Sequence, residues 1–123
     1  MNMNLDKYFP LAKKDQTIAL LFHGNQLIIG YSDRERTHTK AKKRYKDNTI
    51  GYSVHAEFDA LRRLPKDYSP GRITLIVFRK TAKNLYGMAK PCENCQFLID
   101  QYRIRHRNVF FTDWDGKLRR LDA

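Results

Sequence analysis

Two short clusters hold the residues best suited to chemistry, His55-Ala56-Glu57 and Pro91-Cys92-Glu93-Asn94-Cys95. Two cysteines separated by two residues at a helix start place both sulfurs on one side. The orphan N–H groups and the dipole there favour thiolate, the form a metal binds. With His55 as a third ligand, the set matches zinc and leaves a fourth position for water, as catalytic sites do. Zinc at such a site lowers the pKa of water to about 7. Glu57, two residues beyond His55, points away from the coordination position yet stays within reach of that water as a proton carrier.

Other uses of these residues explain less. A Cys-x-x-Cys pair also serves redox exchange, but Trp-Cys-Gly-Pro-like surroundings are absent and His55 would have no role. A structural zinc needs a fourth Cys or His. His23, His38 and His106 remain, none paired with a second ligand at knuckle spacing. Glu57 taken alone also fits as a plain helix-start residue. The ordered pair of motifs is what makes the signal specific.

The elements that must position these motifs follow from apolar patterning. Leu5, Tyr8 and Phe9 share one face of a short first helix capped by Asn4, kinked or restarted at Pro10. Residues 17–22 and 26–31 form a hairpin around His23-Gly24-Asn25. Ser53 caps a helix to about Leu64, with Val54, Phe58 and Leu61 on its buried face and Pro65 ending it. Residues 73–78 (ITLIVF) read as a strand covered on both faces. Pro91 sits in the first turn of a second helix carrying Phe97, Leu98, Ile99 and Tyr102. Strands at 109–112 and 117–121 flank the turn Asp113-Trp114-Asp115-Gly116. The expectation is an α/β protein, a three-layer α/β/α sandwich around a mixed five-stranded sheet.

In this order the elements and motifs resemble the cytidine deaminase superfamily over most of the chain, and His-x-Glu followed by Pro-Cys-x-x-Cys is the signature of zinc deaminases. Thr37-His38 before a basic run, then His-Ala-Glu-x-x-Ala-Leu, is also similar to small deaminases of phage and bacterial origin. The resemblance implies Zn2+ held by His55, Cys92 and Cys95, with Glu57 as the catalytic proton shuttle. It implies that the backbone at Ala56 and the carbonyl near Pro91 face the base. Many relatives carry Gly-x-Asn after the second strand, whose Asn holds the sugar or base; here the segment is Gly30-Tyr31-Ser32-Asp33, so Ser32 or Asp33 takes that place. Many relatives also assemble, so a homo-oligomer is compatible. The chain lacks the extra terminal helix of many polynucleotide editors.

Length and composition frame the rest. The 123 residues suit one domain, spanning residues 1–123, and 41% hydrophobic content suffices for one core. No apolar run reaches the ~18 residues of a membrane span, and the first fourteen residues lack the apolar stretch of a secretory signal, so the expectation is a cytoplasmic protein without a membrane partner. The 24 Lys and Arg against 13 Asp and Glu give a formal charge of +11, which draws polyanions. The basic stretch from Ser32 to Asn48 reads as a long loop, with Arg36 and His38 as candidate phosphate contacts.

The substrate expectation is therefore a cytosine-type base in a nucleoside or nucleotide, converted to its uracil form with release of ammonia. The alternative is a polynucleotide deaminase acting on single-stranded DNA or on RNA, cytosine or adenine, with Tyr31, Tyr45, Tyr52 and Trp114 available for stacking. A zinc-containing nucleic-acid binder without catalysis leaves Glu57 idle. Arg62-Arg63, Arg103-Arg105-Arg107 and Arg119-Arg120 read one by one as solvated faces, and Trp114 as a core plug rather than a lid.

Overall fold

The computed structural model describes residues 4–33 and 55–122. Its centre is a six-stranded mixed sheet. The strands are β1 (Gln16–His23), β2 (Gln26–Tyr31), β3 (Ile73–Lys80), β4 (Tyr86–Gly87), β5 (Val109–Thr112) and β6 (Leu118–Arg120). The main order is β2-β1-β3-β5-β6, with β4 pairing β3. β1 runs antiparallel to both β2 and β3. β3 and β5 are parallel, as the helix between them requires. Helices α1 (Ala56–Leu61) and α2 (Glu93–Gln101) follow β2 and β4 respectively.

The apolar runs in β1 and β3 have a direct cause. Ile18, Leu20, Ile76 and Phe78 face one way, into a cluster closed by Leu5 and Ala12 of the N-terminal segment. Ala19, Leu21, Leu75 and Val77 face the other way, against Phe58 and Leu61 of α1 and Leu98 and Ile99 of α2. Strands at the middle of three layers have no wet face, so alternation disappears from their sequence. Each fully buried Leu, Ile or Phe contributes about 1.5–3 kcal/mol. This α/β/α arrangement has the topology that the cytidine deaminase resemblance implies.

Several elements differ from their expected form. The first helix is instead two 3-10 turns, Leu5–Lys7 and Phe9–Leu11, with Asn4 Oδ1 accepting from Asp6 N at 2.9 Å. Pro10 lacks the N–H that a continuous α-helix would use. α1 is only six residues long and its N-cap is His55; Ser53 and Val54 lie outside the described residues. Its end tightens through Arg63 N to Ala60 O and Leu64 N to Leu61 O. β4 adds a sixth strand to the five expected, because two residues carry no periodic signal and form a strand only by pairing with Arg79 and Lys80.

Gly30 sets the depth of α1. A Cβ there would stand 2.1 Å from Ala56 O and 2.7 Å from Ala60 N, so only glycine lets the helix lie directly on β2. No helix among the described residues is long and apolar enough to cross a membrane.

Candidate metal centre and pocket

Two helix starts bring the three candidate ligands together. His55 has extended backbone (φ −84°, ψ 149°) immediately before α1. Cys92 is likewise the N-cap of α2 (φ −68°, ψ 169°) and Cys95 lies in its first turn. Pro91 therefore precedes the cap rather than occupying the first turn, and the two cysteines are a cap and a helical residue rather than two helical ones. Their sulfurs still converge. His55 Nδ1 lies 3.2 Å from Cys95 Sγ and 3.5 Å from Cys92 Sγ. All three ligand atoms lie within 4.8 Å of one another, a cluster able to hold a metal ion. Two soft sulfurs and one imidazole nitrogen suit a first-row metal better than magnesium or calcium.

Protonation is divided unevenly within the cluster. Cys92 Sγ shares a hydrogen bond with the Cys95 thiol and is further favoured by His55 and by Cys95 N, which donates to it at 3.4 Å. Its pKa is pulled down to about 4. Cys95 moves well up, because its proton bonds to Cys92 Sγ and because it is buried. The Cys92 contact also raises His55, against the opposing effect of burial. One thiolate already stands ready, and one thiol must lose its proton to a metal.

Glu57 is buried, with 5% of its surface exposed. Burial pushes its carboxyl pKa upward, while its own backbone N–H and His55 pull the other way. A carboxyl whose pKa is raised beside a metal-ligating cluster is suited to exchanging protons. It lies against Cys95 and forms part of the wall of a cavity of about 240 Å³.

That cavity gathers most of the expected residues. His55, Ala56, Glu57, Cys92, Ser32 and Asp33 line it together. Ser32 Oγ also accepts from Thr17 N at 3.0 Å, which fixes the wall at the end of β2. Pro91 is buried outside the lining, and its carbonyl accepts from Gln96 Nε2 at 2.8 Å. Arg36, His38, Tyr45 and Tyr52 lie outside the described residues. Trp114 is not a core plug: it is 78% exposed. Tyr31 is half-buried, packed at the edge of the N-terminal cluster. His23 and His106 sit elsewhere, facing Ser69 N and Asp100.

Sequence reasoning missed Asp15, Arg79 and Lys90, which also line the cavity. Arg79 Nη2 donates to Asp15 Oδ1 at 3.2 Å, while its buried Nε has no hydrogen-bond partner among the described residues. The signal was present in the abrupt change from ITLIVF to Arg79-Lys80, since ligands of α/β sheets gather at the carboxyl ends of strands. Asp59 was also missed. Its buried carboxylate accepts from Tyr31 N, Arg62 and Arg63, so the Arg62-Arg63 pair is not a merely solvated face.

No family model matches the chain, and no curated protein or solved structure matches it either. The fold and the His/Cys/Cys cluster are consistent with the deaminase superfamily.

Proposed function

We propose that the chain is a zinc-dependent hydrolase that deaminates a nucleobase of cytosine type, converting it to the uracil form. The observation that carries this reading is the placement of buried Glu57 in the lining of the cavity that His55 and Cys92 of the His55/Cys92/Cys95 cluster also line. A metal site built only for stability has no use for a proton-exchanging carboxyl beside an open cavity.

The donor set and spacing support zinc. On a tetrahedral zinc ion, a nitrogen and a sulfur ligand stand roughly 3.6 Å apart, close to the 3.2 and 3.5 Å separations of His55 from the two sulfurs. His55, Cys92 and Cys95 would hold the ion. Bound there, it supplies the Lewis acidity that lets water attack at neutral pH.

The chain's own groups do the rest. Glu57 takes a proton from the attacking water and delivers it to the ring nitrogen of the base. A C–O bond forms at the carbon bearing the amine, the C–N bond breaks, and Glu57 passes the second proton to departing ammonia. Ala56 and Ser32 narrow the cavity around the base, and Asp33 offers an acceptor for its polar edge.

The test is ammonia release, with the matching mass shift of the base, from cytidine, deoxycytidine, their phosphates and cytosine-containing single strands. Glu57→Gln lowers the rate by about 10²–10⁴-fold while metal content stays unchanged. A variant as active as the parent would remove Glu57 from the chemistry and with it this reading.

A further inference from the structure

Trp114 is the chain's one tryptophan, and the protein holds it out into water. Such a large aromatic surface is seldom left wet without a partner. The turn carrying it is firmly built. Asp113 Oδ1 accepts from Trp114 N at 2.6 Å, and Asp113 Oδ2 accepts from Arg119 Nε at 2.8 Å. Gly116, at φ +79°, donates to Asp113 O at 2.9 Å. The turn therefore gives Trp114 a fixed point of departure and does not fold it into the core.

Its location matters more than its exposure. Ala89, a residue of the cavity wall, donates to Thr112 O at 2.9 Å, two residues before Trp114. The turn thus leaves the sheet beside the cavity. The neighbouring β3–β4 tip touches it, since Gly116 faces Tyr86, and that tip exposes Leu85 to 62%. Lys83 belongs to that tip, Lys90 to the cavity lining and Lys117 lies three residues after Trp114, while the flanking Asp113 and Asp115 are both paired with Arg119. None of the three lysines forms an ion pair among the described residues. An exposed aromatic on a turn beside the cavity, with exposed lysines on the same turn, the neighbouring tip and the cavity lining, matches how proteins hold single strands: bases stack on the ring while cations track the phosphates. The formal charge of +11 favours the same polyanion.

We infer that Trp114 is a stacking platform for the nucleotide adjoining the target base, so that the substrate is a single-stranded polynucleotide. This rests on the deaminase reading for the base in the cavity. A free nucleotide has one base, which the cavity takes, and leaves nothing for Trp114.

Because Trp114 is the chain's one tryptophan, its fluorescence reports on the platform directly. The experiment titrates the metal-loaded protein with short cytosine-containing DNA and RNA single strands, and with cytidine monophosphates at equal base concentration. Strands quench the emission, and monophosphates leave it nearly unchanged. Trp114→Ala weakens strand binding, read by anisotropy of a labelled strand, by about tenfold or more. Trp114→Phe recovers most of the loss. Neutralising Lys83, Lys90 and Lys117 together flattens the salt dependence of binding by about two in the log–log slope. Unquenched emission with strands, or Trp114→Ala binding them as tightly as the parent, overturns the inference. So does quenching that follows protein concentration alone, which would make a second copy the occupant. Binding is read without turnover, so the outcomes separate: quenching without ammonia release removes the reaction and keeps the platform, and deamination of monophosphates without quenching does the reverse.

Discussion

Tyr31 donates its backbone N–H to Asp59 Oδ2 at 2.9 Å, tying the end of β2 to the helix that carries Glu57. The same carboxylate takes Arg62 Nη2 at 2.7 Å and Arg63 Nη2 at 2.9 Å, and Arg63 reaches back to Ile29 O. Ser32 and Asp33 follow directly after Tyr31, so the β2 end and the α1 start, which both contribute to the cavity lining, are referenced to one side chain. The arginines are partly exposed, at 28% and 44%, which screens their share. Asp59→Ala is expected to cost about 2 kcal/mol, chiefly through the orphaned Tyr31 N–H and the released Arg62. Asp59→Asn keeps an acceptor for Tyr31 and should lose roughly half as much, as read by urea denaturation.

Gly30 gives a steric prediction. Because its missing Cβ would meet Ala56 O at 2.1 Å, Gly30→Ala must push α1 off β2. Overpacking of this kind costs about 1–3 kcal/mol or more. His55 moves with the helix, so metal affinity measured against a competing chelator falls alongside stability. A variant that kept full metal affinity would show that the ligand cluster is independent of this contact.

Metal uptake should release protons. Cys92, with its pKa pulled down to about 4, is already a thiolate at pH 7, while Cys95 remains a thiol and His55 is raised. Binding needs all three deprotonated, so about one proton leaves from Cys95 and a further fraction from His55. Protons released on binding make affinity rise with pH and weaken as pH falls. Calorimetric titration with zinc in buffers of different ionisation enthalpy counts them. Cys95→Ser should abolish the release together with tight binding.

Arg103 offers a stabilising change. α2 closes with Ile104 N to Ile99 O at 3.1 Å and Arg103 N to Asp100 O at 2.9 Å, a Schellman ending. Arg103 occupies its left-handed position at φ +64°, which normally belongs to glycine. Relief of about 1–2 kcal/mol of strain is offset by the greater freedom of glycine in the unfolded chain, by about 0.5–1 kcal/mol. Arg103→Gly should gain roughly 0.5 kcal/mol, visible as a small rise in Tm.

What the sequence made legible follows from how each signal arises. The candidate ligands were readable because metal binding constrains residue type and spacing at once. The central strands were readable because burial on both faces removes polar residues from β1 and β3. The Trp114 turn was placed correctly by Asp113 and Gly116, yet the direction of its side chain was not, since turn residues encode backbone shape and say nothing of where a ring points. Arg79 and Asp15 meet across 64 residues of chain, and their pairing depends on β1 and β3 lying side by side. Asp59 and its arginines are spaced as ordinary helix surface charges; only the approach of β2, allowed by Gly30, buries the carboxylate.

The unequal exposure of Cys92 and Cys95 also governs how the protein ages. Without a bound ion, the exposed Cys92 would be the more accessible nucleophile, with the buried Cys95 thiol beside it. Peroxide would meet Cys92 first, and a sulfenic acid formed there would have Cys95 in position to condense with it, water leaving as the disulfide closes. Metal loss under reducing conditions would leave a chain ready to be reloaded, whereas metal loss followed by oxidation would leave one that needs a reductant first.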